Sequence, residues 1–184
     1  EEGGELALQR IAVGNHILVG GDNMDLALAH AMVGAFEQKN IKLDPWQSVA
    51  LWHSCRAAKE SLFGPDAPKK HPVTVLGRGS KLIGGTVSAE QAGEAFARLA
   101  DTLIRSLHRA IDGEFVKQHG RVRGQETAIL ALGKLGGREM TATSDLDLIV
   151  IYDFDAEHPE SDGPRKLYGA QYFTRLTQRL INAL

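Results

Sequence analysis

The run Gly133-Lys134-Leu135-Gly136-Gly137-Arg138-Glu139, followed by Ser144-Asp145-Leu146-Asp147-Leu148, constrains this chain more than any other stretch. It sits between Thr127–Leu132 and Leu146–Asp153, two short segments rich in apolar residues that predict strands. The frame is therefore strand, glycine turn, short helix, strand. Side chains alternate faces on a strand, so Asp145 and Asp147 share one side while Leu146 and Leu148 turn to the core. Two neighbouring carboxylates repel, and a shared divalent cation relieves that repulsion. Oxygen ligands of this kind suit Mg²⁺, which takes one or two carboxylates together with substrate phosphates. Gly136 and Gly137 would let backbone N–H groups approach an anion at a helix N-terminus, with Lys134 near enough to assist. The pattern predicts a site that holds a nucleoside triphosphate during phosphoryl or nucleotidyl transfer. A bare D-x-D at a strand start is more often a pair of solvated acids; the closely spaced glycine run ahead of it favours the functional reading.

The rest of the chain predicts a helical frame around this unit. Gly20-Gly21-Asp22 leads into a helix with Leu26, Ala29, Val33 and Phe36 at spacings of three and four, Asp22 as N-cap and Asp25 in the first turn. A second helix follows Pro45, with Leu51, Cys55, Ala58 and Leu62 on one face and Gly64-Pro65 as its stop. Lys69–Pro72 reads as a loop, Val73–Leu76 as a short strand, and residues 77–85 as a glycine-rich, turn-rich stretch. Ser88 and Gln91 form a capping box opening a long helix whose stripe is Phe96, Leu99, Leu103 and Leu107, and Gly120 ends it. A last helix begins near Tyr168, with Tyr172, Leu176 and Leu180 as its apolar stripe, part of which is expected to lack cover. Nearer the start, Val13-Gly14-Asn15 predicts a hairpin turn between two short strands.

Composition removes several function classes. The chain has 184 residues and a formal net charge of −2, so it carries no basic nucleic-acid arm. A single cysteine, Cys55, excludes an intrachain disulfide and a cysteine-rich zinc site. No apolar run approaches the roughly 20 residues needed to cross a bilayer, and no signal-peptide pattern opens the chain. A cytoplasmic location and no membrane or nucleic-acid partner are the expectations. The seven histidines show no metal-ligand spacing. With no initiator Met and a helical pattern still running at Leu184, the chain reads as a piece of something longer.

Ala131 to Thr141 together with Ser144 to Ile149 closely resembles the nucleotidyltransferase signature of bacterial glutamine synthetase adenylyltransferases. Ser161-Asp162-Gly163 and Gln171 to Leu180 resemble that family's following segment, so the likeness covers about residues 88–184. The resemblance implies a polymerase-β-like nucleotidyltransferase fold. In it Asp145 and Asp147 are catalytic and hold Mg²⁺, Gly136, Gly137, Ser144 and Lys134 contact the nucleotide, ATP is the substrate, and glutamine synthetase is the protein partner. In that family one domain adenylylates a tyrosine of glutamine synthetase and a paired domain removes the group by phosphorolysis; the wording here is nearer the adding domain. A third carboxylate comes later in the family, in a V-D-x-R-L-R-like stretch that this sequence does not contain, so the 184 residues alone are expected to be inactive.

The first part resembles a different family. Ile17 to Asp25 is similar to the glycine-rich loop of the actin-like ATPase domain of DnaK-type chaperones, and Cys55 to Leu62 is similar to the helix that meets adenosine there. This resemblance implies nucleotide contacts at Gly20, Gly21 and Lys59, although Arg56 and Glu60 reverse the charges expected beside Lys59. The expected organisation is α/β (α+β): a partial chaperone-ATPase-like lobe over 1–85 and a partial nucleotidyltransferase domain over 86–184, an apparent chimera. A chaperone-type ATPase fragment and an inactive interaction module are the alternative functions.

Overall fold

A computed structural model describes residues 20–77, 79 and 81–184. The predicted hairpin around Val13–Asn15, and Ile17 to Val19 of the chaperone-like loop, lie outside them. The elements in order are α1 (Gly21–Glu37), α2 (Pro45–Leu62), β1 (Lys70–Leu76), β2 (Leu82–Ser88), α3 (Ala89–His119), β3 (Glu126–Ala131), α4 (Gly133–Gly136), β4 (Leu148–Asp153) and α5 (Gly169–Ala183). The strands form two separate antiparallel pairs, β1 with β2 and β3 with β4. A mixed α and β fold is what the sequence predicts at this level.

Helix α1 starts two residues earlier than expected. Gly20 is its N-cap and Asp22 lies in the first turn, bonded to Arg56 at 2.7 Å. Its buried face carries Asp25, Leu28, Ala29, Met32 and Phe36, whereas Leu26 is exposed. The predicted stripe is thus rotated, because Asp25 is drawn inward by basic groups of α2 that periodicity alone cannot see. Asn40 in the left-handed conformation (φ 58°) ends the helix, with the N–H of Ile41 bonded to the Phe36 carbonyl and that of Asn40 to Glu37. Helix α2 has a capping box of Asp44 and Gln47, not recognised from the sequence, and buries the predicted Leu51, Cys55, Ala58 and Leu62.

Two stretches read as loop are strand. β1 begins at Lys70, and β2 runs through Gly84 and Gly85, in register from Lys70↔Ser88 to Leu76↔Leu82. Gly85 serves packing: a Cβ there would lie 3.1 Å from Met32 Cε and 3.3 Å from Phe36. The ladder is pressed onto α1 at that point, and a glycine-rich segment supplies the room. One core cluster therefore joins Leu28, Phe36, Leu51, Cys55 and Val73 to Val87, Phe96, Ile104, Leu135 and Met140, drawing on both sides of Gly85.

Helix α3 opens with the predicted Ser88–Gln91 box and closes at Gly120 (φ 71°). Its core side is Ala92, Phe96, Ala100 and Ile104, while Leu99, Leu103 and Leu107 are half-buried beside a groove. The second cluster is Phe115, Val122, Leu167, Tyr172, Phe173 and Leu176. Here the expectation of an uncovered α5 stripe is corrected: Tyr172, Phe173, Leu176 and Leu180 are buried, with Tyr172 edge-on to Phe115 at 4.8 Å. The partner is α3 rather than a further strand. The Ser161–Gly163 motif clamps this junction, since the Asp162 carboxylate accepts from Arg121 N–H and Gly163 N–H donates to His119.

Burial raises the Cys55 thiol to about 12, with the nearby Asp25 carboxylate adding to the effect. The unfolded chain would lose that proton near 9.0, so it binds fewer protons than the folded state across the interval above. Stability should fall as pH rises from about 9 towards 12. Cys55→Ala, followed by urea unfolding at several pH values, should flatten that part of the profile; an unchanged slope would mean that other groups cause it.

Candidate active site

The D-x-D pair ends up at the mouth of the β3–β4 ladder. β4 begins at Leu148, so Asp145 and Asp147 immediately precede it rather than lying within it. The pairing nevertheless extends back by one bond, from Leu132 N–H to the Asp147 carbonyl at 2.8 Å. The alternation predicted from the sequence holds: Asp145 and Asp147 are exposed, and Leu146 and Leu148 are half-buried against the core. In the ladder Ala131 faces Leu148, Leu130 faces Ile149 and Ala128 faces Ile151. Ile129 and Leu148 thus look towards α3, while Leu130, Leu132, Ile149 and Ile151 are exposed on the other face. Asp147 continues the open face.

Gly133 is the residue that best defines this corner, and it was not singled out as a site residue from the sequence. It has φ 51°, and a Cβ built on it would collide with Oδ2 of Asp147. Only a glycine permits both the left-handed turn and the carboxylate beside it. The available signal was its place directly after an apolar strand. Gly133→Ala should cost about 1–2 kcal/mol from the backbone conformation alone, and should also displace the Asp147 carboxylate. Denaturant unfolding checks the first effect and Mg²⁺-dependent ATP binding the second; wild-type behaviour in both would show that the corner tolerates a side chain.

The structure gives Gly136 and Gly137 a different local role from the one expected. Gly136 N–H donates to the Leu132 carbonyl at 2.8 Å and Gly137 N–H to Gly133 at 2.9 Å, so both amides serve the turn itself. Gly136 is needed for close packing, because a Cβ there would sit 2.5 Å from the Ala131 carbonyl oxygen. The turn closes through Arg138 in the left-handed conformation (φ 58°), with Glu139 N–H bonded to Lys134 and Arg138 N–H to Leu135. Lys134 is exposed, and among the described residues it has no ion pair. The Ser144 hydroxyl accepts from Thr141 N–H at 2.8 Å and lies 2.9 Å from the Thr141 hydroxyl, which orders the loop leading to Asp145.

Two exposed carboxylates with a glycine against one of them fit a hard cation that completes its shell with substrate oxygens. Among the described residues no third His, Cys, Asp or Glu joins them closely; the group that does cluster is Asp155, Glu157 and His158, beyond the far end of β4. In that group Asp155 accepts from His158 and from Glu157 N–H and lies 3.4 Å from Arg123. These contacts hold the Asp155 carboxyl below the usual carboxylate range.

The residues proposed to meet a nucleotide in the first part are placed otherwise. Lys59 is nearly buried; its Nζ lies 2.5 Å from Oδ1 of Asp25 and donates to the Gly21 carbonyl at 2.9 Å. A Cβ on Gly21 would touch that ammonium at 3.2 Å, and the Gly20 carbonyl accepts from Asn23 N–H. This arrangement ties α1 to α2 and turns Lys59 away from solvent.

The sequence profile of the glutamate-ammonia ligase adenylyltransferase family matches residues 74–184, which include the entire β3–α4–β4 corner and both carboxylates. The chain belongs to that family. Similar curated proteins are named bifunctional glutamine synthetase adenylyltransferase/adenylyl-removing enzyme. Those of Bradyrhizobium sp. (strain ORS 278) and Rhodopseudomonas palustris (strain HaA2) are each 60% identical over 105 residues, 57% of this chain and 11% of theirs. That of Xanthobacter autotrophicus (strain Py2) is 60% identical over 107 residues, 58% of this chain and 11% of its own. The chain therefore spans about a ninth of the length of these adenylyltransferases. The family match begins at residue 74, within β1, and so includes β2 and Gly85.

Proposed function

We propose that the β3–α4–β4 corner is part of the catalytic centre of an adenylyl transfer from ATP to glutamine synthetase. The observation that supports this most is the pair Asp145 and Asp147 on the open face of the ladder, with Gly133 fitted to Asp147, inside the segment matched to the family. In the proposed reaction a tyrosine hydroxyl of the acceptor attacks the α-phosphorus of ATP, the bond to the β-phosphate breaks, and pyrophosphate leaves. Mg²⁺, when bound, neutralises the phosphate oxygens on which charge develops. Asp145 and Asp147 fix its place from one side of the strand. Ser144 holds the loop that carries them, Lys134 offers an exposed cation to the phosphates, and Gly136 and Gly137 keep the turn tight beside the nucleotide. The polymerase-β-like fold, the preference for the adding direction and a cytoplasmic setting belong to the same reading. Among the described residues no helix is long and apolar enough to cross a membrane.

The test is transfer of label from α-labelled ATP into glutamine synthetase in the presence of Mg²⁺. The 184-residue chain should bind Mg–ATP without transferring it, because no third carboxylate joins the pair among the described residues. A chain that also carries the family's third acid should label the acceptor. Turnover by the 184 residues alone would show that the catalytic set is misassigned, and no labelling by the longer chain would remove the reading.

For the residues before 74 we propose a chaperone-ATPase-like segment; since the family match starts at residue 74, the change of origin expected near residue 85 is moved to or before 74. Its support is the likeness of Ile17–Asp25 and Cys55–Leu62 to that family. Amplification of one uninterrupted genomic segment across codons 60–110 would establish a true fusion; failure to do so would mark a joining of two reading frames.

A further inference from the structure

Between α3 and the inner face of the β3–β4 ladder lies a cleft of about 480 Å³. Its volume falls within the range of about 300–1,000 Å³ typical of small-molecule sites. Ile104, Ile129, Leu135 and Leu148 make an apolar floor, and Arg98, Arg105, Arg109 and Arg138 line the cleft together with a single acid, Asp101. The carboxylates Asp145 and Asp147 belong to the opposite face of the ladder and do not line this cleft. We propose that this cleft binds a small organic anion carrying two or more carboxylate or phosphate groups, at a place distinct from the catalytic carboxylates.

Three observations point to an anion. First, Arg98, Arg105 and Arg109 fall on one face of α3, and Arg105 and Arg109 are four residues apart, a like-charge spacing that opposes helix formation. Arg98 is matched by Glu94 at 2.7 Å and Arg105 by Asp101 at 2.9 Å, whereas Arg109 has no ion pair among the described residues. Second, Arg138 takes a left-handed conformation at a helix end, the place where glycine is usual. A strained backbone retained with a long cationic side chain is accounted for when that guanidinium has a task at the cleft. Its only ion pair among the described residues is with Glu94, 3.7 Å away and already shared with Arg98. Third, Nε2 of His108, which also lines the cleft, is buried with no hydrogen-bond partner. A turn of the ring towards the cleft would let that nitrogen meet a ligand oxygen. Guanidinium groups suit carboxylate and phosphate because their paired N–H donors match the paired oxygens. The apolar floor favours a ligand with a carbon frame over a bare inorganic ion.

Calorimetric titration tests this, with citrate and 3-phosphoglycerate as probes. The protein is first freed of metal on a chelating resin, so that no metal bridges an anion to Asp145 and Asp147, and the buffer holds no polycarboxylate and about 0.15 M sodium chloride to screen diffuse attraction. The expected result is a single site with Kd below about 1 mM for at least one probe. Preference between the two tells carboxylate from phosphate recognition. Arg105→Ala/Arg109→Ala and, separately, Arg138→Gly should weaken binding at least about tenfold, since charged hydrogen-bonded contacts are lost. Arg138→Gly relieves the backbone strain, so its melting temperature should not fall, and this variant decides the matter should the double variant fail to fold. Asp145→Asn should leave the affinity unchanged. No heat from either probe up to about 10 mM, a range that would cover even weak sites, would overturn the proposal. So would equal affinity in Arg138→Gly, or loss of binding in Asp145→Asn.

Discussion

Replacing Asp147 by Asn should lower the rate of adenylyl transfer about a hundredfold or more in a chain that carries the complete catalytic set, while leaving the fold intact. The variant keeps the shape that Gly133 accommodates and removes only a negative charge from the open face of the ladder. If Asp147 holds the cation on which charge from the transferring group is neutralised, several kcal/mol of transition-state stabilisation depend on it, and each ~1.4 kcal/mol is tenfold in rate. Most of the loss should appear in kcat, because positioning and electrostatics are nearly all that a protein contributes to this chemistry. In the 184-residue chain the same substitution should abolish the Mg²⁺-dependent part of ATP binding. The melting temperature without metal should stay level or rise slightly, since Asp145 loses a like-charged neighbour. Asp145→Asn should behave in the same way. Two solvated acids at a strand start would give the reverse: unchanged ATP binding and at most a small effect on stability. Full activity in either variant would remove the metal-site assignment.

The contrast between Asp147 and Gly136 shows how far the sequence could be read. Alternation of side chains needs only strand geometry, so the outward placement of Asp145 and Asp147 was legible from five residues. The role of the glycines was not, because a glycine beside a phosphate and a glycine beside a carbonyl look alike in sequence. Gly136 meets the Ala131 carbonyl, and Gly133 meets Asp147; the second approach is set by the register of β3 on β4, which is tertiary information. The same holds for β2. Gly84 and Gly85 carry turn composition, yet they are held in a strand by pairing with β1 and by the close approach of Met32 and Phe36. Local chemistry was better at the ends of α3, where Ser88 with Gln91, and Gly120, stand where the side-chain rules put them, than at the starts of α1 and α2. Periodicity found the apolar stripes of α2 and α5 but was blind to the buried charges, Lys59 on α2 and Asp25 on α1, and on α1 it put part of the stripe on the wrong residues.

That buried acid leads to the largest expected effect on stability. Asp25 is fully buried and Lys59 is 8% exposed, with their charged atoms 2.5 Å apart and Arg56 Nε a further 3.5 Å from the same carboxylate. Lys59→Met leaves the Asp25 charge in the core with only the more exposed Arg56 beside it. Breaking one side of a buried pair costs about 3–5 kcal/mol, which for a chain of this size is a drop in melting temperature on the order of 10 °C. Asp25→Leu should cost a similar amount, because the ammonium is then left with the Gly21 carbonyl as its remaining acceptor. The double variant Asp25→Leu/Lys59→Met should recover most of the loss, since an apolar pair of similar volume needs no compensating charge. The cycle also separates two roles for Lys59. A lysine that anchors α2 to α1 predicts strong coupling between the two substitutions and the same Mg–ATP affinity in the double variant as in the wild type. A lysine that meets a nucleotide, as the likeness to chaperone ATPases implies, predicts weaker ATP binding in the double variant even where stability has returned. Single variants within about 1 kcal/mol of wild type, the range of exposed pairs, would show that water reaches the Asp25 carboxylate and that the two helices are held together by Leu28, Leu51 and Cys55 instead.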